Sequence, residues 1–203
     1  MASETDFLNN ALGAAGCQRI SGIDDASVEA GWCRTYYPSL RRGTLRSANW
    51  KFASARLQLT IDAEAPAFGF IYSYGLPSSL LKLRAYNGIH INITLTDDQS
   101  LWLFRDASWR IEGRKLFSND SVAFIEYVQD VTNPDLWDPT YYEMLAAWLG
   151  SKLAMAVRRD GQKAQELLSM AMGTWMPMAL AVDGQDASVS AYQSNDLTWG
   201  RTL

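Results

Sequence analysis

The sequence predicts an α+β protein: a bundle of about four helices drawn from both ends of the chain, with an antiparallel β-sheet or small sandwich inserted between them. Three observations predict it. Apolar residues recur at helical spacing before about residue 53 and again after about residue 133. Between those stretches the apolar period changes to two, with frequent turn signals. Neither terminal helix pair can bury its apolar face alone, so the two pairs must pack together. The implied organisation is 1–53 plus 133–183 as a discontinuous helical core, 54–132 as the β insertion, and 184–203 as an extended tail.

Phe7, Leu8, Ala11 and Leu12 predict a first helix over Thr5 to Ala15, stopped by Gly16. Asp24 or Asp25 is expected to cap the second helix. Its Val28, Trp32, Tyr36 and Leu40 fall at four-residue steps and are expected to share a face, with Cys33 and Tyr37 beside them. Pro38 is expected to kink or restart this helix, which then continues to about Trp50.

In the β insertion, alternating rows begin with Leu57, Leu59 and Ile61, then Leu81, Leu83 and Ala85, then Ile91, Ile93 and Leu95. Leu101 and Leu103, Trp109 and Ile111, and Val122, Phe124 and Val128 continue the series. Turn sequences such as Asn87-Gly88, Glu112-Gly113 and Ser118-Asn119-Asp120 separate the strands. The segments between strands are too short for βαβ crossovers, which argues against a parallel sheet.

Asp138-Pro139 is a helix start, with Asp as cap and Pro in the first turn. The helix runs from Tyr142 to Arg159 and is rich in small residues: Ala146, Ala147, Gly150 and Ala154 would let a neighbouring helix approach closely. Asp160-Gly161 breaks the chain, Gln162 to Trp175 forms another helix, and Pro177 ends or kinks it. Met178 to Val182 adds a turn. The tail is polar but carries Val189, Tyr192, Leu197 and Trp199, which suits docking onto another surface.

Composition narrows the function. Apolar residues make up 48% of the 203 residues, enough for a core, and the eight tryptophans are expected mostly inside it. A net charge of −4 argues against a free-standing nucleic-acid binder. Cys17 and Cys33 form no CxxC pair and are expected to be reduced and buried. The acidic start of the chain has no apolar signal region, and a cytoplasmic site of synthesis is expected.

The catalytic inventory is thin. His90 is the sole histidine, which leaves it without a second imidazole or a nearby cysteine for zinc. The sequence contains no GxSxG, GxxxxGK[ST] or GxGxxG. Glu112 and Glu126, with Asp97, Asp98 and Asp106, are the carboxylates a glycosidase could use, but several sit in turn sequences. One charge pattern stands out. Arg34, Arg41, Arg42, Arg46, Lys51 and Arg56 follow one another without an intervening acid. Arg34 and Arg41 are seven residues apart and share a helix face. Such a stripe either faces DNA or an acidic partner, or is a solvated helix face.

Four stretches together have a familiar order. They are FLNNALGAAGCQRIS (7–21), CRTYYPSLRRGTLRSANWKFASARLQL (33–59), YSYGLPSSLLKLRAY (72–86) and the long segment from Trp109 to Ala154 that begins WRIEGRKLF. In that order they resemble the tail tubular protein A family of short-tailed bacteriophages, the adaptor or gatekeeper proteins of the head–tail junction. The resemblance covers about Phe7 to Asp183. Pro177 departs from it, since an unbroken last helix would be expected there.

The resemblance implies a non-catalytic structural subunit of the virion. Such subunits form a ring, typically of twelve copies, between the portal protein and the nozzle of tail tubular protein B-like subunits. Tail fibres can attach nearby, and double-stranded DNA passes through the channel during packaging and ejection. The resemblance implies no catalytic residue, cofactor or metal, and no membrane. The candidate interface residues are Arg34, Arg41, Arg42 and Arg46 of the stripe and Tyr192, Leu197 and Trp199 of the tail. Two other readings compete: a head-completion or neck subunit of a long-tailed phage, and a carbohydrate-active enzyme or glycan-binding module using Trp102 and Trp109 as a platform.

Overall fold

A computed structural model describes residues 3–90 and 109–185. The fold is α+β, with the helical core built from both ends of the chain and a small antiparallel sandwich inserted between them. The strand readings at Ile91–Leu95 and Leu101–Leu103, Trp102, and the tail from residue 186 lie outside the described residues.

Helix α1 spans Glu4–Ala14. Ser3 caps it in a reciprocal box: the Asp6 amide donates to Ser3 Oγ at 3.1 Å, and the Ser3 amide donates to Asp6 Oδ2 at 3.0 Å. Gly16 takes φ +70°, and the Cys17 and Gly16 amides donate to Leu12 and Gly13 carbonyls, closing the end as a Schellman motif.

Helix α2 spans Val28–Ser47 without a break at Pro38. Its cap is Ser27, not Asp24 or Asp25. Asp25 instead accepts from the Ser21 and Ser27 amides and shapes the loop before the cap. The buried face also differs from the expected one. Ala30, Cys33, Tyr37, Leu40, Arg41, Thr44 and Leu45 point inward, whereas Val28 is exposed and Trp32 and Tyr36 are half-buried, stacked on each other. Four-residue steps lead the true 3.6-residue repeat by about 40° each, so that row starts outside the buried face at Val28 and reaches it only at Leu40. The helix ends at Ser47, and Trp50 beyond it turns back, its Nε1 donating to the Thr44 carbonyl at 2.9 Å.

The sandwich has a four-stranded and a three-stranded sheet among the described residues. Its strands are β1 (Ser54–Leu59), β2 (Tyr72–Gly75), β3 (Leu80–Tyr86), β4 (Ile89–His90), β5 (Trp109–Glu112), β6 (Lys115–Ser118) and β7 (Ala123–Gln129). The first sheet has the order β1-β7-β3-β4 and the second β2-β6-β5, and every pairing is antiparallel. Asn87 (φ 46°) and Gly88 (φ 83°) make the β3–β4 hairpin turn, as an Asn-Gly pair with two positive φ angles should. The packed core is Leu59, Tyr74, Tyr86, Leu116, Ala123, Ile125 and Tyr127.

Several expected rows are corrected here. Leu57 and Ile61 are exposed beside buried Leu59, because β1 is the edge strand of its sheet among the described residues. On β7 the inward row is Ala123, Ile125 and Tyr127; Phe124 is exposed, and Val128 faces the helical core instead. Register shifts at Leu80/Lys82 and Leu83/Ala85 break the simple alternation of β3.

Helix α3 (Pro139–Leu153) is the axis of the helical core and packs against the other helices. Asp138 caps it, accepting from the Thr140 amide at 2.7 Å, with Pro139 in the first turn. A π-helical turn, Ala154–Arg158, ends it, and Arg159 (φ 55°) reverses the chain. Asp160 then caps α4 (Gly161–Met170), so Gly161 begins that helix. A second π turn, Ala171–Trp175, leads into α5 (Met176–Gln185). Pro177 therefore falls in the first turn of α5, where its missing N–H is tolerated, and the helical path continues through the site expected to end it. The last helix also extends past residue 184, where the tail was expected to begin.

Phe7 meets Trp137 and Tyr142 edge-on at 5.1 Å between ring centroids, and tilts on Tyr37 at 5.4 Å. Trp50 and Trp137 are buried, while Trp32, Trp109, Trp148 and Trp175 are half-buried. The close approach read from the small residues of α3 is present at Gly150. A Cβ there would lie 3.0 Å from the Ala11 carbonyl oxygen and 3.4 Å from Leu167 Cδ1.

Gly150→Val should therefore wedge α1 and α4 away from α3. Overpacking of this kind costs about 1–3 kcal/mol, equivalent to about 2–12 °C in Tm for a chain of this size. Gly43→Ala, on the exposed side of α2 with open space around its Cβ, should instead be neutral or raise Tm slightly. Thermal unfolding of both variants checks the packing.

Candidate assembly interface

Arg41 is buried, at 5% exposure, and does not face a partner. Its Nε and Nη2 grip both oxygens of Asp130, at 2.9 and 3.0 Å. Arg42 adds a hydrogen bond to Asp130 Oδ2 at 2.9 Å from the exposed side. The Arg41 guanidinium also lies over the Tyr37 ring, 5.2 Å from its centroid. Asp130 directly follows β7, so these contacts tie α2 to the sandwich. Burial pushes the Asp130 carboxyl up, but the hydrogen bonds from Arg41 and Arg42 outweigh it and hold the carboxyl below its usual value.

Arg46, Arg34 and Arg56 of the stripe also make contacts within the chain. Arg46 donates to the Leu81 carbonyl at the start of β3. Arg34 reaches the Ile23 and Asp25 carbonyls and closes the loop before α2. Arg56 pairs with Glu126 at 3.3 Å, and Arg84 approaches the same carboxylate at 3.1 Å. The Lys51 amide donates to Asp183 Oδ1 at 2.5 Å and fixes the end of α5 beside the start of β1. The stripe is thus largely a set of internal clamps, with Arg41 removed from the surface. Sequence alone could not show this, because Asp130 lies 89 residues from Arg41. The tail candidates Tyr192, Leu197 and Trp199 lie outside the described residues.

Beside the ion pair sits a second polar knot. Thr44 Oγ1 and the Tyr141 hydroxyl are 2.7 Å apart, and burial pushes the Tyr141 phenol up. Burial likewise pushes the Cys33 thiol up to about 11, consistent with an inert core cysteine, while Cys17 is half-buried.

Residues weighed for catalysis are dispersed. His90 lies in β4 opposite Ala85. Glu126 is held by two arginines, whereas Glu112 ends β5 on the other sheet and pairs with Arg110 at 3.5 Å. Asp97, Asp98 and Asp106 lie outside the described residues. Trp109 is half-buried, its ring 5.5 Å from that of Tyr86, so it packs on the sandwich core. Among the described residues no group of three His, Cys, Asp or Glu is placed to hold a metal ion, and no helix is long and apolar enough to cross a membrane.

What the surface does offer is apolar side chains that one chain leaves in water. Phe68 is 89% exposed and Phe124 52%, with Ile71, Ile89 and Val122 also exposed on the sandwich. Sequence reasoning missed this set, reading Val122 and Phe124 only as part of an alternating strand row.

Asp130→Asn should leave Arg41 buried without a counter-charge, destabilising the fold by about 3–5 kcal/mol near neutral pH. The folded-state carboxyl lies below its unfolded value of about 3.9, so the stability it contributes is complete above that pH. It is lost as pH falls through the lower folded-state value. Urea unfolding of both proteins across the acid range should show their difference shrinking only in that window.

No protein-family model matches this sequence, and no curated protein matches it.

Proposed function

We propose that this chain is a structural virion protein, an adaptor subunit that joins its copies in a ring between portal and tail nozzle at the head–tail junction. Double-stranded DNA passes through the ring's channel. The observation that carries the reading is the exposed apolar set on the sandwich: Phe68, Ile71, Ile89, Val122 and Phe124. Exposed apolar groups on a rigid frame suit a subunit that buries them on assembly. Head-to-tail contacts between copies close into a ring when the rotation per subunit permits.

Two further features support it. The resemblance of four sequence stretches to the tail tubular protein A family is one. The charge is of the right sign for passage of DNA: each copy carries −4, and Arg41, Arg42 and Arg46 are engaged with groups of their own chain. An acidic wall repels the phosphate backbone and favours sliding over sticking.

Negative-stain electron microscopy of the protein mixed with the portal protein of the same virus tests the proposal. Rings stacked on one end of the portal are expected, and their symmetry gives the copy number. A protein that stays monodisperse and ignores the portal would refute it. Phe68→Glu and Phe124→Glu should leave the circular dichroism spectrum unchanged and weaken ring formation about tenfold or more, equivalent to about 1.4 kcal/mol.

A further inference from the structure

The loop between β1 and β2 carries an apolar knob. Phe68, in the middle of it, is 89% exposed. Gly69 follows with φ +83°, a turn geometry that glycine adopts without strain. The loop is tied down on both sides of the knob. Ser73 Oγ donates to the Glu64 carbonyl at 3.2 Å, and the Ile71 amide donates to Asn119 Oδ1 at 3.1 Å. The Phe70 ring stacks on Phe117 with centroids 6.3 Å apart. Phe68 is therefore held in water by anchored backbone, and little further ordering is needed for it to bind. The loop is also acidic. Asp62 and Glu64 are its only charged residues. Lys115 engages Asp62 at 3.0 Å, whereas the exposed Glu64 carboxylate meets no partner among the described residues.

A cleft of about 570 Å³ opens between β3 and β5. Leu76, Leu83, Trp109 and Ile111 give it apolar walls. Its charged lining residues are Arg46, Lys82 and Arg114, and no carboxylate lines it among the described residues. Arg46 and Arg114 are positioned by their bonds to the Leu81 and Pro77 carbonyls, which leave their charge uncompensated. Lys82 has no ion pair among the described residues.

Knob and cleft lie at opposite ends of the three-stranded sheet. Tyr72 pairs with Ser118 at the loop end of β2, and Gly75 pairs with Lys115 at the cleft end. There the Leu76 amide donates to the Arg114 carbonyl at 2.9 Å. The strand between them is about 10 Å long, and Phe68 is not among the residues that line its own chain's cleft.

We propose that Phe68 of one copy docks into this cleft on a second copy, with Glu64 beside Lys82 and Arg114. Two facts select that occupant. The charges are complementary, since a loop with acids and no cation meets a cleft with cations and no acid. The knob is an aromatic ring on an anchored turn, the kind of group that carries binding energy when an apolar cleft takes it out of water. Because knob and cleft sit at opposite ends of one sheet, the contact is head-to-tail and adds copies in one direction. The contact rests on the ring assembly proposed above and names its joint.

Sedimentation equilibrium of the purified full chain, without portal, tests this. The unaltered chain should form oligomers whose mass rises with concentration. Phe68→Glu removes the knob, and Lys82→Glu/Arg114→Glu reverses the charge of the cleft. Each variant alone should associate about tenfold or more weakly, with an unchanged circular dichroism spectrum. An equimolar mixture of the two should form a one-to-one complex at the unaltered affinity and nothing larger, because each supplies the half that the other lacks. An unaltered chain that stays monomeric would overturn the proposal, as would variants that associate like the unaltered chain or a mixture no tighter than its components. Rings on the portal with a mixture that fails would overturn this contact and leave the adaptor reading in place. A one-to-one complex without rings on the portal would uphold the contact and remove the adaptor reading.

Discussion

The Arg41–Asp130 pair is the constraint on which the arrangement depends. It is the point where the helical core and the sandwich are bound by something directional. Apolar packing alone would let the two parts slide, since it is roughly proportional to area and indifferent to angle. A bidentate Arg–carboxylate contact fixes both distance and orientation. It contributes little net stability relative to a well-packed apolar pair, because desolvating both ions offsets most of their attraction. Its consequence is geometric: α2 and the end of β7 take one relative position. Arg46 on the Leu81 carbonyl and Lys51 on Asp183 repeat the restraint along the same seam.

Around that seam the two cores are nearly continuous. β7 serves both, sending Ala123, Ile125 and Tyr127 into the sandwich and Val128 into the helical bundle. Trp50, Phe52 and Tyr141 cluster just beyond, with Trp50 and Tyr141 edge-on at 5.0 Å. In the adaptor role proposed above, two halves joined in this way would pass force from one to the other, whereas an inserted domain on a loose tether would absorb it by bending.

Much of the fold was legible because its signals are local. Asn87-Gly88, Asp138-Pro139 and Gly16 act through their own backbone preferences, and each does in the structure what those preferences dictate. Gly150 was legible as part of a small-residue surface, though not the helix it would meet. What the sequence hid is non-local or cumulative. The inward turn of Arg41 needs an acid far along the chain. The buried face of α2 depends on an angular drift that four-residue spacing conceals. The bulges of β3 move side chains between faces without any glycine to announce them. The π turn before Pro177 absorbs an irregularity that a helix template treats as an end. The candidate interface was the least legible part, since a run of arginines reads the same whether it faces a partner or its own sandwich.

The central structural claim is that the helical core and the sandwich open together. Native-state hydrogen exchange under increasing denaturant tests it most directly, using the Leu149 amide of α3 and the Leu116 amide of β6 as reporters of the two cores. Both are buried within their own core. The account predicts that the two amides converge on one opening free energy, equal to that of global unfolding. A Leu116 amide that opens at a clearly lower free energy, while Leu149 stays protected, would show the sandwich unfolding alone and contradict the claim.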